Sequence, residues 1–224
     1  MWTEILRDIS LILASWTAIY GIDSWRREYR GKRKMELAEE SLCLFYETRD
    51  AIRSIRSPLG YGGEGESRKA SGPETLEQKK ARDQAFVVFE RYQRHQELFN
   101  KLYAIRYRFI ANFGMHDAEP FDIINKIIND IFISARMLSE MWPKNSEYWD
   151  EERTKKHSEQ VQKHESIFWW SGSEDPIDKR IDEAVSRIEQ TTKAIIESKG
   201  TLYKILNWEI TSFFKRSGKN KSNC

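Results

Sequence analysis

The chain is predicted to be all-α, with an N-terminal transmembrane and stalk helix followed by an antiparallel helical bundle. Three observations carry this. Apolar residues recur at three- and four-residue spacing through most of the sequence. The eleven glycines and five prolines are few and stand mostly between those periodic segments, which leaves an all-β fold without its turns. The balance of 39% apolar to 32% charged residues suits helices with a solvated outer face, and 12% aromatic residues is too many for a disordered chain.

The first element is the segment 1–25, read as a transmembrane anchor. Ile9 to Ile22 is free of charge, and Trp2 and Trp25 bracket a helix about 36 Å long, with tryptophan favoured in both headgroup zones. Arg7, Asp8 and Asp23 would lie near the interfaces. Arg26, Arg27, Arg30, Lys32, Arg33 and Lys34 come after the apolar run, so the positive-inside rule places the N-terminus outside and the domain in the cytoplasm. Cations precede the apolar run in a secretory leader, and the order here is the reverse, so the anchor is expected to stay uncleaved. Spanning is preferred to an interfacial or buried helix. The stripe Ser10, Ala14, Thr17, Ala18 and Gly21 would allow self-association or a partner helix.

Residues 26–57 are read as a basic juxtamembrane segment and stalk helix, with Ala38, Leu42, Phe45, Ile52 and Ile55 inward and Pro58 as its stop. Residues 58–73, glycine-rich, read as a mobile loop. A bundle domain over 74–216 comes next and packs with the stalk. It holds a long helix from about Pro73 to Phe113, stopped by Gly114, and a third from Pro120 to Trp142 with the cleanest apolar face in the chain. A charged segment, 146–170, is expected to lie across the outside. A helix starting at Asp175-Pro176 and a short one from Leu202 to Phe214 complete the domain, and 217–224 is a basic flexible tail. The order Trp208, Phe213, Phe214 then Lys215 and Arg216 also suits a membrane surface.

Chemistry is harder to find. Net charge is only +2 and the cations cluster at the two ends, which argues against a nucleic-acid groove. Cys43 and Cys224 give no disulfide framework, and Cys43 is expected to be a packed, inert thiol. His95, His116, His157 and His164 have no metal-site spacing, and no cofactor is implied. Gly60, Gly65 and Ser67 fit the spacing of a phosphate-binding loop, but Glu66 stands where its lysine must be.

Two candidate surfaces remain. Arg49, Arg53 and Arg56 share a helix face beside the loop that carries Arg68 and Lys69, and together these five could hold an anion; pairing with acidic residues is the competing reading and is preferred. Trp169 and Trp170 could anchor a partner or be buried against the bundle end.

The phrases GIDSWRREYRGKRKMELAEESLCLFYETRDAIRSIRSP, ERYQRHQELFNKLYAIRYRF and HESIFWWSGSEDPID, and with them most of the chain, resemble an uncharacterised bacterial family of N-terminally membrane-anchored helical proteins with no assigned function. The resemblance implies a bacterial origin and a whole-chain unit of anchor plus helical domain; it transfers no catalytic residue, ligand or partner. The resulting expectation is a helical binding, scaffolding or sensing module on the cytoplasmic face of a bacterial inner membrane, in contact with membrane lipid. The alternative is a membrane-surface enzyme acting on a phosphate-bearing or lipid substrate, with acids or bases such as Glu90, His95 or Glu97 brought to the arginines by folding.

Overall fold

The computed structural model describes residues 2–70, 72–143, 150–172 and 174–197, apart from the side chains of Glu4 and Leu6. Among them six helices and no strands occur: α1 (Trp2–Ile55), α2 (Leu76–Arg94), α3 (Gln96–Phe113), α4 (Glu119–Met141), α5 (Glu151–Phe168) and α6 (Pro176–Ile196). The expected C-terminal helix and tail, including Trp208, Phe213, Phe214 and Cys224, lie outside the described residues, as does Trp149.

The 54 residues of α1 extend for about 81 Å and run unbroken through Gly21 and Gly31. Its two parts differ in what they touch. From Trp2 to Arg33 every described side chain is exposed, so roughly 48 Å of helix projects as an arm. From Leu37 onward the helix is a bundle member, burying Leu37, Ala38, Leu44, Phe45, Ala51, Ile52 and Ile55.

Three further columns complete the bundle, and side-chain pairs fix their directions. Lys34 sits over the Phe113 ring and Phe45 meets Phe121 edge-on, so the α3 end and the α4 start lie at the arm end of the domain. Along α4, Asp122 pairs with Arg106, Phe132 stacks on Phe89, and Glu140 pairs with Arg82, so α2 and α3 descend antiparallel to it. Arg180 reaches Asp130 and Arg187 reaches Glu119, which makes α6 antiparallel to α4 as well. The bundle is therefore antiparallel, with Phe99, Phe109, Ile124, Ile127, Ile131, Leu138, Ile181 and Ile188 inside. The charged α5 lies along α4 and buries only Phe168, as its composition predicts.

The long second helix expected over 73–113 is two helices. His95 leaves the ladder, its N–H turning back to Tyr92 and Gln93 carbonyls. The break lets α2 pack mainly on α4 while α3 packs mainly on α1, and a straight helix could not follow both partners. It also rotates the buried face, so Leu102 and Ile105 are core while Tyr103 is 42% exposed. Cys43, expected to be packed, is exposed on the outer face of α1.

The transmembrane expectation meets a limit here. Among the described residues no helix is long and apolar enough to cross a membrane. The charge-free run Ile9 to Ile22 covers about 21 Å against a hydrocarbon core of about 30 Å, because Arg7, Asp8 and Asp23 bound it.

On α5, His164 Nδ1 lies 3.1 Å from the buried hydroxyl of Ser134, and burial pushes the imidazole below its ordinary value. The fold thus favours neutral His164. That contribution is complete above about pH 6.5 and is lost as pH falls below it. Thermal melts between pH 8 and pH 5 should show a decline in stability that His164→Gln flattens.

Candidate functional site

The end of the bundle away from the arm gathers the glycine loop, the α5–α6 turn and most of the expected site residues. Its frame consists of two buried guanidiniums, each closing a helix C-terminus whose last carbonyls have no partner within the helix.

Arg56, completely buried, donates from Nε and Nη2 to the carbonyls of Ile167 (2.7 Å), Ser166 (3.0 Å) and Trp169 (2.8 Å) at the end of α5. The same guanidinium forms a two-point pair with Asp175, with Nη1 to Oδ1 at 2.7 Å and Nη2 to Oδ2 at 2.8 Å. Asp175 is also the N-cap of α6, accepting from the N–H groups of Ser171, Ile177 and Asp178. Burial alone would raise its pKa, but Arg56 and these N–H groups outweigh burial and hold it below the ordinary carboxylate range. Arg91 plays the corresponding part for α1. It donates to the carbonyls of Ile55 (3.2 Å), Ser57 (2.6 Å) and Leu59 (2.9 Å) and to Glu64 Oε2 at 2.6 Å.

The glycine loop is folded rather than a free connector. Glu90 of α2 reaches into it, where its carboxylate accepts from Gly65 N (2.9 Å), Ser67 N (3.2 Å) and the Ser67 hydroxyl. Burial would raise the Glu90 pKa, and these donors bring it below its ordinary value. The loop does what its glycine spacing suggests, in that its N–H groups hold an anion, but the anion belongs to the chain. Gly65 has φ +90°, and a Cβ there would stand 1.9 Å from the Asp83 carbonyl oxygen. No other residue fits.

The five anion-binding candidates divide. Arg53 bonds to Asp178 at 3.0 Å and lies near Asp182, Arg56 is the buried clamp, and Arg49 is half-buried over the Tyr46 ring and beside Asp50. These three share a face of α1, but that face is turned to the acidic side of α6. Arg68 and Lys69 lie elsewhere, at a groove between α2 and α4, where Arg68 is tied to Glu74 and Asp83. Of the acids of the enzyme alternative, Glu90 is enclosed in the loop and Glu97 is exposed beside Lys101. Among the described residues no cluster of His, Cys, Asp and Glu could hold a metal ion.

The tryptophan pair also divides. Trp169 packs edge-on against Phe168 and lines an open groove of about 590 Å³ with Tyr61, Leu76, Lys80 and Val87. Trp170 is 39% exposed, with its indole N–H donated to Asp178 Oδ2 at 2.9 Å. Leu59, Tyr61 and Leu76 beside the groove are each more than 80% exposed. Sequence reasoning missed Arg91, whose position on a polar helix gave no sign of burial, and read Asp175 only as a helix start. The membrane-interface candidates Trp2, Trp25, Arg26, Arg27, Arg30, Lys32 and Arg33 all lie on the exposed arm, while Lys34 joins the bundle through Phe113.

Comparison with family models, curated proteins and solved structures finds no match.

Arg56→Met should lower stability by about 3–5 kcal/mol in denaturant melts, because Asp175 is left buried without its cation. Acid titration of the native protein should show the Asp175 contribution present above about pH 3.8 and lost as pH falls below it, a loss absent in Arg56→Met. Gly65→Ala should cost more than about 2 kcal/mol, whereas Gly62→Ala, which has open space around it, should be nearly neutral.

Proposed function

We propose that the protein is a bacterial membrane-anchored helical binding or scaffolding module, held at the inner membrane by the arm of α1 with its bundle in the cytoplasm. The observation that carries this reading is the arm itself. Ile9, Leu11, Ile12, Leu13, Trp16, Ile19, Tyr20 and Ile22 are between 49% and 70% exposed and touch nothing in the bundle. Leu11, Ile12 and Leu13 are consecutive, so they point in three directions about 100° apart and the arm is apolar on every side. Each such side chain gains about 1.5–3 kcal/mol on full burial, so covering the arm is worth on the order of 10 kcal/mol. Water is a poor solvent for it.

The residues just beyond the apolar run favour membrane as the cover. Trp25 stacks on Tyr29, and the guanidiniums of Arg27 and Arg33 lie over the Tyr20 and Tyr29 rings. Such an arrangement suits the aromatic and basic belt of a cytoplasmic headgroup zone. An all-round apolar helix suits insertion better than lying flat, which needs a polar face. The charge-free run is about 9 Å short of the hydrocarbon core, so insertion would draw Arg7, Asp8 and Asp23 to the interfaces by snorkelling and local thinning. The bundle reads as a module rather than an enzyme because Arg53, Arg56 and Arg68 are committed to carboxylates.

Fractionation of cells expressing the full chain should place it in the membrane pellet, resistant to alkaline carbonate. A version lacking residues 1–25 should be released. Thr3→Cys in a Cys43→Ser, Cys224→Ser background should react with an impermeant maleimide from the periplasmic side. Carbonate release of the full chain would overturn insertion, and labelling from the cytoplasmic side alone would overturn the orientation.

A further inference from the structure

The groove to which the structure moves Arg68 and Lys69 has its own chemistry. It opens between α2, α4 and the segment leaving the glycine loop, with a volume of about 500 Å³. Its apolar wall holds Phe86 and Phe89, whose ring centroids lie 5.7 Å apart, and Phe89 is backed by Phe132 at 4.8 Å. The wall is therefore a supported aromatic surface and not a pair of loose side chains.

The rim is cationic. Arg68, Lys69, Arg82 and Arg136 stand against two carboxylates, Glu74 and Glu140. Glu74 is shared between Arg68 and Arg82, which pull its pKa down to about 2, so it serves to hold the two guanidiniums in place. Arg82 is fixed further by Glu140 at 3.1 Å, and its Nε is buried with no hydrogen-bond partner. Lys69 and Arg136 are exposed and form no ion pair among the described residues. Two cations are thus fixed and two are free to close on a ligand.

Position argues for the source. Arg136 is 17 residues beyond Glu119, which pairs at the arm end of the bundle, so the groove stands about 25 Å along α4 from where the arm leaves. A headgroup in the bilayer proposed for the arm would not reach it. We propose that this groove binds a soluble phosphate monoester with a planar aromatic body, its phosphate taken by Lys69 and Arg136 beside Arg82 and its ring laid against Phe86 and Phe89. Cationic side chains over an aromatic wall recognise such a ligand through both of its parts. The lining uses no residue of the arm, and only the soluble source of the ligand rests on the membrane reading.

Calorimetric titration of the full chain in neutral detergent with phenyl phosphate, inorganic phosphate and phenol tests it. Phenyl phosphate should bind saturably and about tenfold more tightly than inorganic phosphate, and phenol should not bind measurably. Lys69→Glu and Arg136→Glu should each weaken phenyl phosphate at least about tenfold, while Lys126→Glu, an exposed cation that does not line the groove, should leave it unchanged. Phe86→Ala should abolish the preference for phenyl phosphate over inorganic phosphate. Because Lys69 and Arg136 are exposed and form no ion pair among the described residues, their reversal should leave the melting curve in place. No saturation by about 10 mM, or equal weakening by Lys126→Glu, would overturn the site. Competition by phosphatidylglycerol vesicles that Arg136→Glu abolishes would overturn the soluble source in favour of a lipid headgroup.

Discussion

The bundle depends on the pair formed by Arg56 and Asp175, a fully buried ion pair between the end of α1 and the start of α6. A charge removed from water is tolerated only where it is paired and its remaining donors are used, and here the guanidinium meets two carboxylate oxygens and three carbonyls. One contact closes α5, caps α6 and joins both to α1. The Trp170 N–H, donated to the Arg56 carbonyl at 2.7 Å, ties in the turn between them. An aliphatic core would bury as much surface. It would not fix which residue of α1 faces which residue of α6.

Arginine recurs in this role because its planar fork can serve several acceptors at once. Arg91 closes α1 and fastens the glycine loop, and Arg68 and Arg82 share Glu74 to join the loop's exit to α2. Of the basic residues that from sequence looked available for ligands, Arg53, Arg56 and Arg68 are paired with carboxylates, and Arg56 also closes a helix end. Cations left free in the described structure therefore mark candidate binding surfaces more sharply than the total of basic residues does. The Lys69–Arg136 rim is one such place.

Much of the architecture was legible in the sequence. The isoleucine ladder of α4, the Asp175-Pro176 start of α6 and the outer position of α5 follow from periodicity, capping chemistry and charge, which are local. The break at His95 was not legible, since Gln96 and its neighbours continue an acceptable helical pattern; the break is imposed by two different packing partners. The loop was misread for a related reason. Glycines permit many conformations, and the carboxylate that selects one of them, Glu90, is supplied from 25 residues along the chain. Likewise the spacing of Arg49, Arg53 and Arg56 established that they share a face, but the partner of that face is set by tertiary structure. The exposure of Cys43 beside two leucines shows the same limit, because one step of helix, about 100°, separates the core face from solvent.

The division of the molecule follows from α1 being one helix. Its apolar arm and its bundle segment share a continuous hydrogen-bonded backbone, and neither Gly21 nor Gly31 interrupts it, so the direction of the arm is carried into the first column of the bundle. The features at the far end, the two grooves and the clamped turns, rest on pairs among α1, α2, α4, α5 and α6 and on nothing in the arm. Sites this far apart, with no shared side-chain partners, should behave additively. A change that weakens the proposed attachment of the arm should leave the proposed ligand binding at the far end intact, and the reverse should hold as well. Such separability is what the proposed module, held in place by one end and read out at the other, requires.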